Sequence, residues 1–167
     1  AVAFDKTGTL THGRPEVTDV VMAEGSPLTP DRMLAMAAAV ETPSGHPLAQ
    51  AVVRAAAARG LALPETAEVA SLTGLGLRSE VGGERVLIGN RKLMVQEGLS
   101  LPATLETRIR DLETQGQTTA IVAVGAQVSG ALALADTPRA DARSAVAQLR
   151  ALGIKRIFLL SGDNSRV

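Results

Sequence analysis

The stretch AVAFDKTGTLT, residues 1–11, decides how the rest of the chain is interpreted. Its first four residues are apolar, which predicts a buried strand, and Asp5 follows where that strand ends. Open parallel α/β sheets bind their ligands at that end of their strands. A carboxylate there can act as a nucleophile, Lys6 can attract a polyanion, and Gly8 lets backbone amides approach phosphate oxygens. The stretch therefore predicts a phosphoryl acceptor at Asp5.

A second segment, near the other end of the chain, suits the same site. The apolar run IFLL, residues 157–160, predicts another buried strand and leads into Ser161-Gly162-Asp163. Two parallel strands that end in an acid and in a hydroxyl–glycine turn can present both to one phosphoryl group. Asp5 would attack, while the Ser161 hydroxyl and the Gly162 amide bind the phosphate oxygens. Taken alone, the second segment is more typical of an ordinary polar turn.

The seven residues from Asp5 to Thr11 resemble, letter for letter, the phosphorylation signature of the P-type ATPases, ion pumps that pass through an aspartyl-phosphate. The resemblance implies the haloacid-dehalogenase-like fold that these pumps share with many phosphatases, with ATP as substrate and Mg²⁺ as cofactor. It also implies that Asp5 and the backbone carbonyl of Thr7 bind Mg²⁺, and that Asp163 helps to order the phosphate loop. Ser161 replaces the family's usual threonine and keeps the hydroxyl.

The middle of the chain carries a second candidate site. The segment ETPSGHPLA, residues 41–49, resembles the Glu and His-Pro nucleotide-binding motif of the heavy-metal-transporting P-type ATPases, and two glycine motifs of that subfamily follow. Glycines let adenosine and phosphates approach the backbone, Glu41 can accept a hydrogen bond from an adenine amino group, and His46 can support the base or reach a phosphate. The residues expected to bind the nucleotide are Glu41, His46, Gly74, Gly76, Gly89 and Asn90.

Each of these motifs also has a simpler interpretation. His46 before a helix-starting proline is typical of a helix cap, Gly-x-Gly is typical of a bend, and Gly89-Asn90 is typical of a strand end followed by a cap. Gly45 stands where the subfamily usually has an acidic residue, so we expect no side-chain contact from that position. The occurrence of all three motifs in family order behind Asp5 favours the nucleotide site.

Helix and strand signals predict one α/β domain that is split by an inserted α+β domain. We expect residues 1–12 and 134–167 to form a partial, split Rossmann-type domain of the haloacid-dehalogenase-like kind. Residues 13–133 are expected to form the nucleotide-binding domain, an antiparallel sheet flanked by helices. His12-Gly13-Arg14-Pro15 and Asp136-Thr137-Pro138-Arg139 resemble the hinge segments between the two domains, and His12 itself is expected to be exposed.

Turn and cap residues place the individual elements. The expected elements are a strand over 16–22, helices from Pro30 and from Pro47 to about Arg59, a hairpin about Gly82-Gly83, a short helix capped by Asn90, a helix over 102–115, a hairpin about Gly125-Ala126 and a helix from Thr137-Pro138 to Leu152.

Composition excludes several classes of function. The 17 basic and 17 acidic residues give no net charge, which does not support binding to nucleic acid or to anionic membranes by bulk electrostatics. The absence of cysteine excludes disulfides and thiolate metal sites, and the two histidines are too few for a His-rich metal cage. Two aromatic residues, Phe4 and Phe158, cannot form a base-stacking platform. No apolar run approaches the ~20 residues of a membrane span, so we expect the chain itself to be soluble.

Two other functions fit parts of the sequence. The first is a haloacid-dehalogenase-like phosphatase with a cap insert. Such phosphatases place a second aspartate two positions after the nucleophile, where this chain has Thr7, which cannot perform that proton transfer. A long-lived phosphoenzyme is therefore expected. The second alternative is a non-catalytic module that senses adenine nucleotide, in which Asp5 has no role in transport.

The leading hypothesis is an ATP-binding cytoplasmic fragment of a heavy-metal cation pump, in which Asp5 accepts the γ-phosphate of ATP in the full protein. The pump's membrane helices, its actuator domain and the later loop that completes the Mg²⁺ site are absent from the sequence. We therefore expect this fragment to bind adenine nucleotide but barely to phosphorylate Asp5. The resemblance favours zinc, cadmium, lead or cobalt over copper as the transported ion. It also implies a monomer on the cytoplasmic side of the cell membrane.

Overall fold

The computed structural model describes the backbone of residues 1–160 and every side chain within them except those of Lys6, Thr7, Leu159 and Leu160. The strands are β1 (Val2–Asp5), β2 (Thr11–Met22), β3 (Ala70–Leu72), β4 (Gly76–Val81), β5 (Glu84–Gly89), β6 (Thr118–Val124), β7 (Gln127–Pro138) and β8 (Ile157–Leu160). The helices are α1 (Pro30–Glu41), α2 (Pro47–Ala58), α3 (Arg91–Gln96), α4 (Ala103–Thr114) and α5 (Ala142–Ala151), and a π-helical turn covers Lys6–Leu10. The predicted α/β class with an inserted antiparallel sheet is confirmed.

The strands form two sheets. β1 and β8 pair in parallel, with Val2 opposite Ile157 and Asp5 opposite Leu160. The other six strands form an antiparallel sheet in the order β2-β7-β6-β5-β4-β3. Residues from the two ends of the described chain therefore share one small sheet, as the sequence predicts.

The small sheet is less buried than its apolar sequence indicates. Residues of β1 alternate between half-buried and exposed, and Phe158 in β8 is 52% exposed. The prediction of two buried strands is therefore wrong for the described residues. α5, which lies between β7 and β8 in sequence, has no fully buried residue, so it does not bury this sheet completely.

The large sheet has an apolar core on each face because alternate side chains of its central strands point to opposite sides. Val86 and Ile88 of β5 pack into the core under α1 and α2, whereas Leu87 between them packs into the core under α3 and α4. The same alternation in β6 sends Val122 to the first core and Ile121 to the second. Helices thus cover both faces of the sheet.

Local sequence signals explain where α1 and α2 begin. The Thr29 hydroxyl accepts a hydrogen bond from the Arg32 amide at 3.2 Å, and Pro30 occupies the first helical position. α2 starts in the same way, with His46 as its N-cap and Pro47 after it. Both hairpin predictions are also confirmed, and at the first of them Gly82 and Gly83 have positive φ angles of 57° and 82°.

One element prediction is wrong. Thr137-Pro138 does not begin a helix, because β7 continues to Pro138 and α5 starts only at Ala142. Pro138 lies opposite Thr11 of β2, and Asp136 lies opposite Pro15. Pairing between the two segments that enter and leave the large sheet therefore overrides the local helix-start signal.

Candidate functional site

A cleft of about 490 Å³ lies next to the start of α2, where residues of β3 to β7 line it at one end of these strands. Its apolar floor includes Leu48 and Val52 of α2 and Ile88 of β5, and polar residues such as Ser44 and Thr118 lie around it. All six residues that the sequence analysis assigns to nucleotide binding line this cleft: Glu41, His46, Gly74, Gly76, Gly89 and Asn90. The structure thus brings together residues that are up to 49 positions apart in the chain, counting from 41 to 90. Their binding roles stay predictions.

His46 has a defined hydrogen-bonding state at the mouth of the cleft. Its Nδ1 accepts a hydrogen bond from the Leu48 amide at 3.2 Å, which caps α2. Because Nδ1 is an acceptor, the proton of the neutral ring lies on Nε2. The side chain is exposed, so this N–H is available as a donor to a ligand. The cap interpretation and the binding interpretation of His46 are therefore compatible.

Glu41 ends α1 on the opposite side of the same loop. Its carboxyl group is partly buried, and this burial raises its pKa above the usual glutamate value. Three hydrogen bonds hold the loop that joins it to His46. The Ser44 amide donates to the Glu41 carbonyl at 3.0 Å, the His46 amide donates to the Ser44 hydroxyl at 3.3 Å, and the Gln50 side-chain amide donates to the Ser44 carbonyl at 2.7 Å. The separation of Glu41 and His46 is thus fixed by protein contacts.

Packing within the protein itself requires glycine at some positions of the two glycine motifs. Gly76 of β4 pairs with Gly89 of β5, and an added Cβ at Gly76 would lie 2.0 Å from the Ile88 carbonyl oxygen. A Cβ at Gly89 would lie 2.2 Å from the Leu75 carbonyl oxygen. Close approach of two backbones, rather than approach of a ligand, therefore requires glycine at these two positions. Gly74 differs, because its positive φ of 72° suits the turn and no atom lies within 4 Å of an added Cβ.

Asn90 joins this turn to the start of α3. Its side-chain amide donates to the Gly74 carbonyl at 2.8 Å, and its side-chain oxygen accepts from the Leu93 amide at 3.1 Å. Its backbone amide donates to the Leu75 carbonyl at 3.0 Å. The predicted cap is thus confirmed, and Asn90 also fixes one wall of the cleft.

The predicted phosphoryl acceptor lies in the small sheet. Asp5 is the last residue of β1, and its side chain is exposed. Lys6 and Thr7 are the first two residues of the π-helical turn, and the structure describes their backbone but not their side chains. Ser161, Gly162 and Asp163 come directly after β8 in sequence and lie outside the described residues. Of the predicted catalytic residues, the structure therefore places Asp5 and the backbone of the turn.

A hydrogen-bond network that the sequence does not predict in detail joins this turn to the two segments predicted to be hinges. The Thr11 hydroxyl donates to the Asp136 carboxylate at 2.5 Å and accepts from the Gly8 amide at 3.2 Å. The same carboxylate accepts from the Arg14 amide at 3.2 Å. The Arg139 guanidinium donates to the carbonyls of Thr11 and Gly8, at 3.0 and 3.2 Å. The only sequence signal for this network is the resemblance of residues 136–139 to a hinge.

The described residues offer few further ligands for a metal ion. Within residues 1–160 no three side chains of His, Asp or Glu are grouped so that they could hold one. The Asp5 carboxylate and the Thr7 carbonyl are oxygen donors of the kind that Mg²⁺ prefers, but they are only two of the six ligands that the ion usually takes. None of the helices in this part of the chain has the length and hydropathy that a bilayer span requires.

Comparison with known proteins places the chain in a family. The family model of haloacid dehalogenase-like hydrolases matches residues 1–167. The chain is 43% identical over 165 residues to the probable copper-exporting P-type ATPase V of Mycobacterium tuberculosis, and 45% identical over 168 residues to the zinc/cadmium/lead-transporting P-type ATPase of Escherichia coli. Each match covers 99% of this chain and 21% of the relative.

A solved structure gives the same result. The crystal structure of a zinc-transporting PIB-type ATPase in the E2.Pi state matches with a TM-score of 0.84 and 43% sequence identity, over 99% of this chain and 26% of that chain. The chain therefore belongs to the haloacid dehalogenase-like hydrolases, and its relatives over nearly its whole length are heavy-metal P-type ATPases. It spans about a fifth of the length of these curated relatives. Relatives named for copper and for zinc match about equally well, so the predicted preference for the zinc class stays a prediction.

Proposed function

We propose that this chain is the ATP-binding and phosphate-accepting part of a heavy-metal cation-transporting P-type ATPase, on the cytoplasmic side of the membrane. The observation that carries the proposal is the single cleft lined by all six residues of the nucleotide motifs. Residues 13–133 form the nucleotide-binding domain, and residues 1–12 and 134–167 belong to the phosphorylation domain. The transported ion is a soft transition metal of the zinc, cadmium, lead or cobalt class.

The chemistry of the cleft suits an adenine nucleotide. Its apolar floor can pack against the base, and the Glu41 carboxylate can accept a hydrogen bond from the exocyclic amino group. The Nε2–H of His46 can donate to a ring nitrogen or a phosphate oxygen. Gly45 adds no side chain to the loop between Glu41 and His46, and a Cβ added there would meet no atom within 4 Å.

Asp5 is the proposed acceptor of the γ-phosphate. A carboxylate oxygen of Asp5 attacks the γ-phosphorus, the new O–P bond forms, and the bond from that phosphorus to the β,γ-bridging oxygen breaks as ADP leaves. Mg²⁺, held by the Asp5 carboxylate and the Thr7 carbonyl, would neutralise charge on the phosphates. Thr7 stands where phosphatases have an acid–base aspartate, so the aspartyl-phosphate is expected to be hydrolysed slowly.

Two substitutions at His46 separate helix capping from nucleotide binding. Asparagine is a good N-cap, so His46→Asn keeps the cap of α2 and removes the Nε2–H donor, whereas His46→Ala removes both. Isothermal titration with ATP should give about three- to tenfold weaker binding for both variants, the usual effect of one lost hydrogen bond. Only His46→Ala should also lose about 1 kcal/mol of unfolding free energy in urea. Equal ATP affinity of wild type and His46→Asn would remove His46 from the site.

A second experiment separates the pump from the two alternatives. In the full-length protein, Asp5→Asn should abolish acid-stable labelling from γ-labelled ATP and abolish metal transport. A nucleotide-sensing module predicts instead that transport is unchanged. A phosphatase predicts rapid turnover of a generic phosphate ester by wild type, which Thr7 argues against.

A further inference from the structure

A cluster of charged side chains lies on the face of the large sheet opposite to α1 and α2. Arg91 begins α3, and its guanidinium contacts two carboxylates of α4. Its Nη1 and Nη2 donate to the two oxygens of Glu113 at 2.9 and 3.0 Å, and its Nε donates to the two oxygens of Glu106 at 3.0 and 3.1 Å. Such a fork fixes the orientation of both partners more strictly than a single contact does.

The cluster is connected to two separate walls of the nucleotide cleft. On one side, Arg91 directly follows Asn90, whose side chain holds the Gly74 turn at 2.8 Å. On the other side, the Glu113 carboxylate accepts a hydrogen bond at 2.7 Å from the hydroxyl of Thr119, and Thr119 lies in the part of β6 that lines the cleft. The Arg91–Glu113 pair therefore joins these two walls from behind.

The protonation states keep this connection intact at neutral pH. Burial alone would raise the pKa of Glu113, but hydrogen bonds from Arg91 and Thr119 lower it below the usual glutamate value. For Glu106 as well, burial opposes the hydrogen bonds of Arg110 and Arg91, which lower its pKa. The hydrogen bond to Glu113 is the main reason why the pKa of Arg91 is raised. All three groups are thus charged at pH 7.

The pair is also more shielded than the Arg59–Asp31 pair. The Arg91 and Glu113 side chains are 36% and 35% exposed, compared with 43% and 60% for Arg59 and Asp31, which form a single contact between α2 and α1. Shielding and the two-point geometry both favour a defined arrangement over a fluctuating one.

We propose that Arg91 and Glu113 are positioning residues for the nucleotide cleft, which hold the Asn90–Gly74 turn and the start of β6 at the separation that the nucleotide requires. This inference rests on the proposed ATP binding. Neither residue lines the cleft, so the effect on the nucleotide is exerted through Asn90 and Thr119.

A double-mutant cycle with ATP titration tests the proposal. Arg91→Gln and Glu113→Gln should each weaken ATP binding about fivefold, within the range seen for residues that do not contact a ligand. Since both remove the same connection, the double variant should also be weaker by about fivefold rather than by the product of the two effects. Arg91→Lys, which keeps the charge without the fork, should recover part of the affinity. A multiplicative double variant would overturn the proposal.

Arg110→Gln is the matched control. Arg110 pairs with Glu106 at 2.8 Å on the same helix, but it is 73% exposed and has no contact with Asn90 or Thr119. It should leave ATP affinity unchanged, and an equal loss in this variant would overturn the proposal. The NMR signal of the Asn90 side-chain amide should shift in Arg91→Gln and not in Arg110→Gln.

Three further cases are distinguishable. If Arg91→Gln does not fold, Thr119→Val replaces the hydroxyl that donates to Glu113 with a methyl group of similar size and should weaken ATP binding about threefold, as expected for one hydrogen bond. Because Thr119 also lines the cleft, Thr119→Ser, which keeps the hydroxyl, is its control and should bind ATP as wild type does. Unchanged binding in Thr119→Val, or an equal loss in Thr119→Ser, would overturn the proposal. If wild type itself does not bind ATP, the proposed function fails. If wild type binds and all variants bind equally well, the proposed function stands and the positioning role is overturned.

Discussion

Single residues in the cleft serve the fold and the site together. Gly76 and Gly89 allow two strands to approach closely, Asn90 caps a helix while it holds the Gly74 turn, and His46 caps α2 through one ring nitrogen while it exposes the other. The simpler interpretation of each motif as a cap or a bend is therefore correct in geometry. It does not compete with nucleotide binding, because the same contacts leave donors and acceptors free at the cleft.

Two glycine substitutions should differ in cost. Gly76→Ala places a methyl group 2.0 Å from a backbone oxygen that cannot move independently, so we expect a loss of about 3 kcal/mol or more of unfolding free energy. In Gly74→Ala the added methyl group meets no atom within 4 Å. Only the positive φ is unfavourable for alanine, so we expect a loss of about 1 kcal/mol of unfolding free energy. Urea unfolding of both variants measures the difference. Equal losses would contradict the close-approach argument.

Glu41→Gln should stabilise the unliganded chain and weaken ATP binding. Burial raises the pKa of Glu41, so in the folded state its charged form is disfavoured relative to the unfolded chain. At pH values between the usual and the raised pKa, the folded chain therefore binds more protons than the unfolded chain. The free energy of unfolding falls as pH rises through that range. The gain from Glu41→Gln should be present at pH 7 and vanish below the usual glutamate pKa. Urea unfolding at several pH values and ATP titration at pH 7 measure the two effects.

At the scale of elements, the two segments predicted to be hinges belong to one antiparallel ribbon. β2 and β7 pair from Thr11–Pro138 to Met22–Gly130, with irregular registers near Pro15 and Thr18. Asp136 lies where the ribbon leaves the large sheet, and it accepts hydrogen bonds from both the Thr11 side chain and the Arg14 amide. The turn after Asp5 is therefore coupled directly to the ribbon.

Asp136→Asn should loosen the ribbon locally. The amide oxygen can still accept, but the charge that strengthens both hydrogen bonds is lost, so we expect the free energy of local opening of the ribbon to fall by about 1.5 kcal/mol. Amide hydrogen exchange of Arg14 and Arg139 should become about tenfold faster. Asp141→Asn is the control, since the Asp141 side chain makes no capping hydrogen bond to α5. Unchanged exchange in Asp136→Asn would refute the role of this carboxylate.

The elements also indicate how much the sequence could predict. A threonine or histidine cap before proline is a local signal, and it places the starts of α1 and α2 correctly. The glycine-containing turns Gly82-Gly83 and Gly125-Ala126 are local signals as well, and they place both hairpins correctly. The helix predicted to start at Thr137-Pro138 is wrong because Pro138 pairs with Thr11, which lies 127 residues away in sequence. Local patterns contain no information on such pairing. Local patterns do not reveal the Arg91–Glu113 pair either, because its partners also lie far apart in sequence. Arginine and glutamate are common on solvated helix surfaces, so neither residue stands out.

At the scale of the whole molecule, stability is concentrated in the large sheet. Every buried member of the two apolar cores lies between Ala23 and Leu134, and none of the described side chains of β1, β8 and α5 belongs to either core. The six motif residues of the cleft lie within the same limits. The small sheet that carries Asp5 therefore contributes little to the folding of the insert.

Residues 14–137 produced alone should accordingly fold and bind ATP with the affinity of the whole chain, within about twofold. The free energy of unfolding should change by less than about 1 kcal/mol, since no core side chain is removed. Circular dichroism with urea and ATP titration measure the two quantities. A shortened chain that does not fold would contradict the placement of the core.

The ribbon has a consequence for how the molecule responds to mechanical load. A pull on the two ends of the described chain loads β1 and β8 in shear, because they are parallel and their ladder bonds are stretched together. The same pull loads β2 and β7 as a zipper, because they are antiparallel and open at the Thr11–Pro138 pair. In optical-tweezer experiments, rupture of the small sheet should be followed by stepwise peeling at low force into the large one.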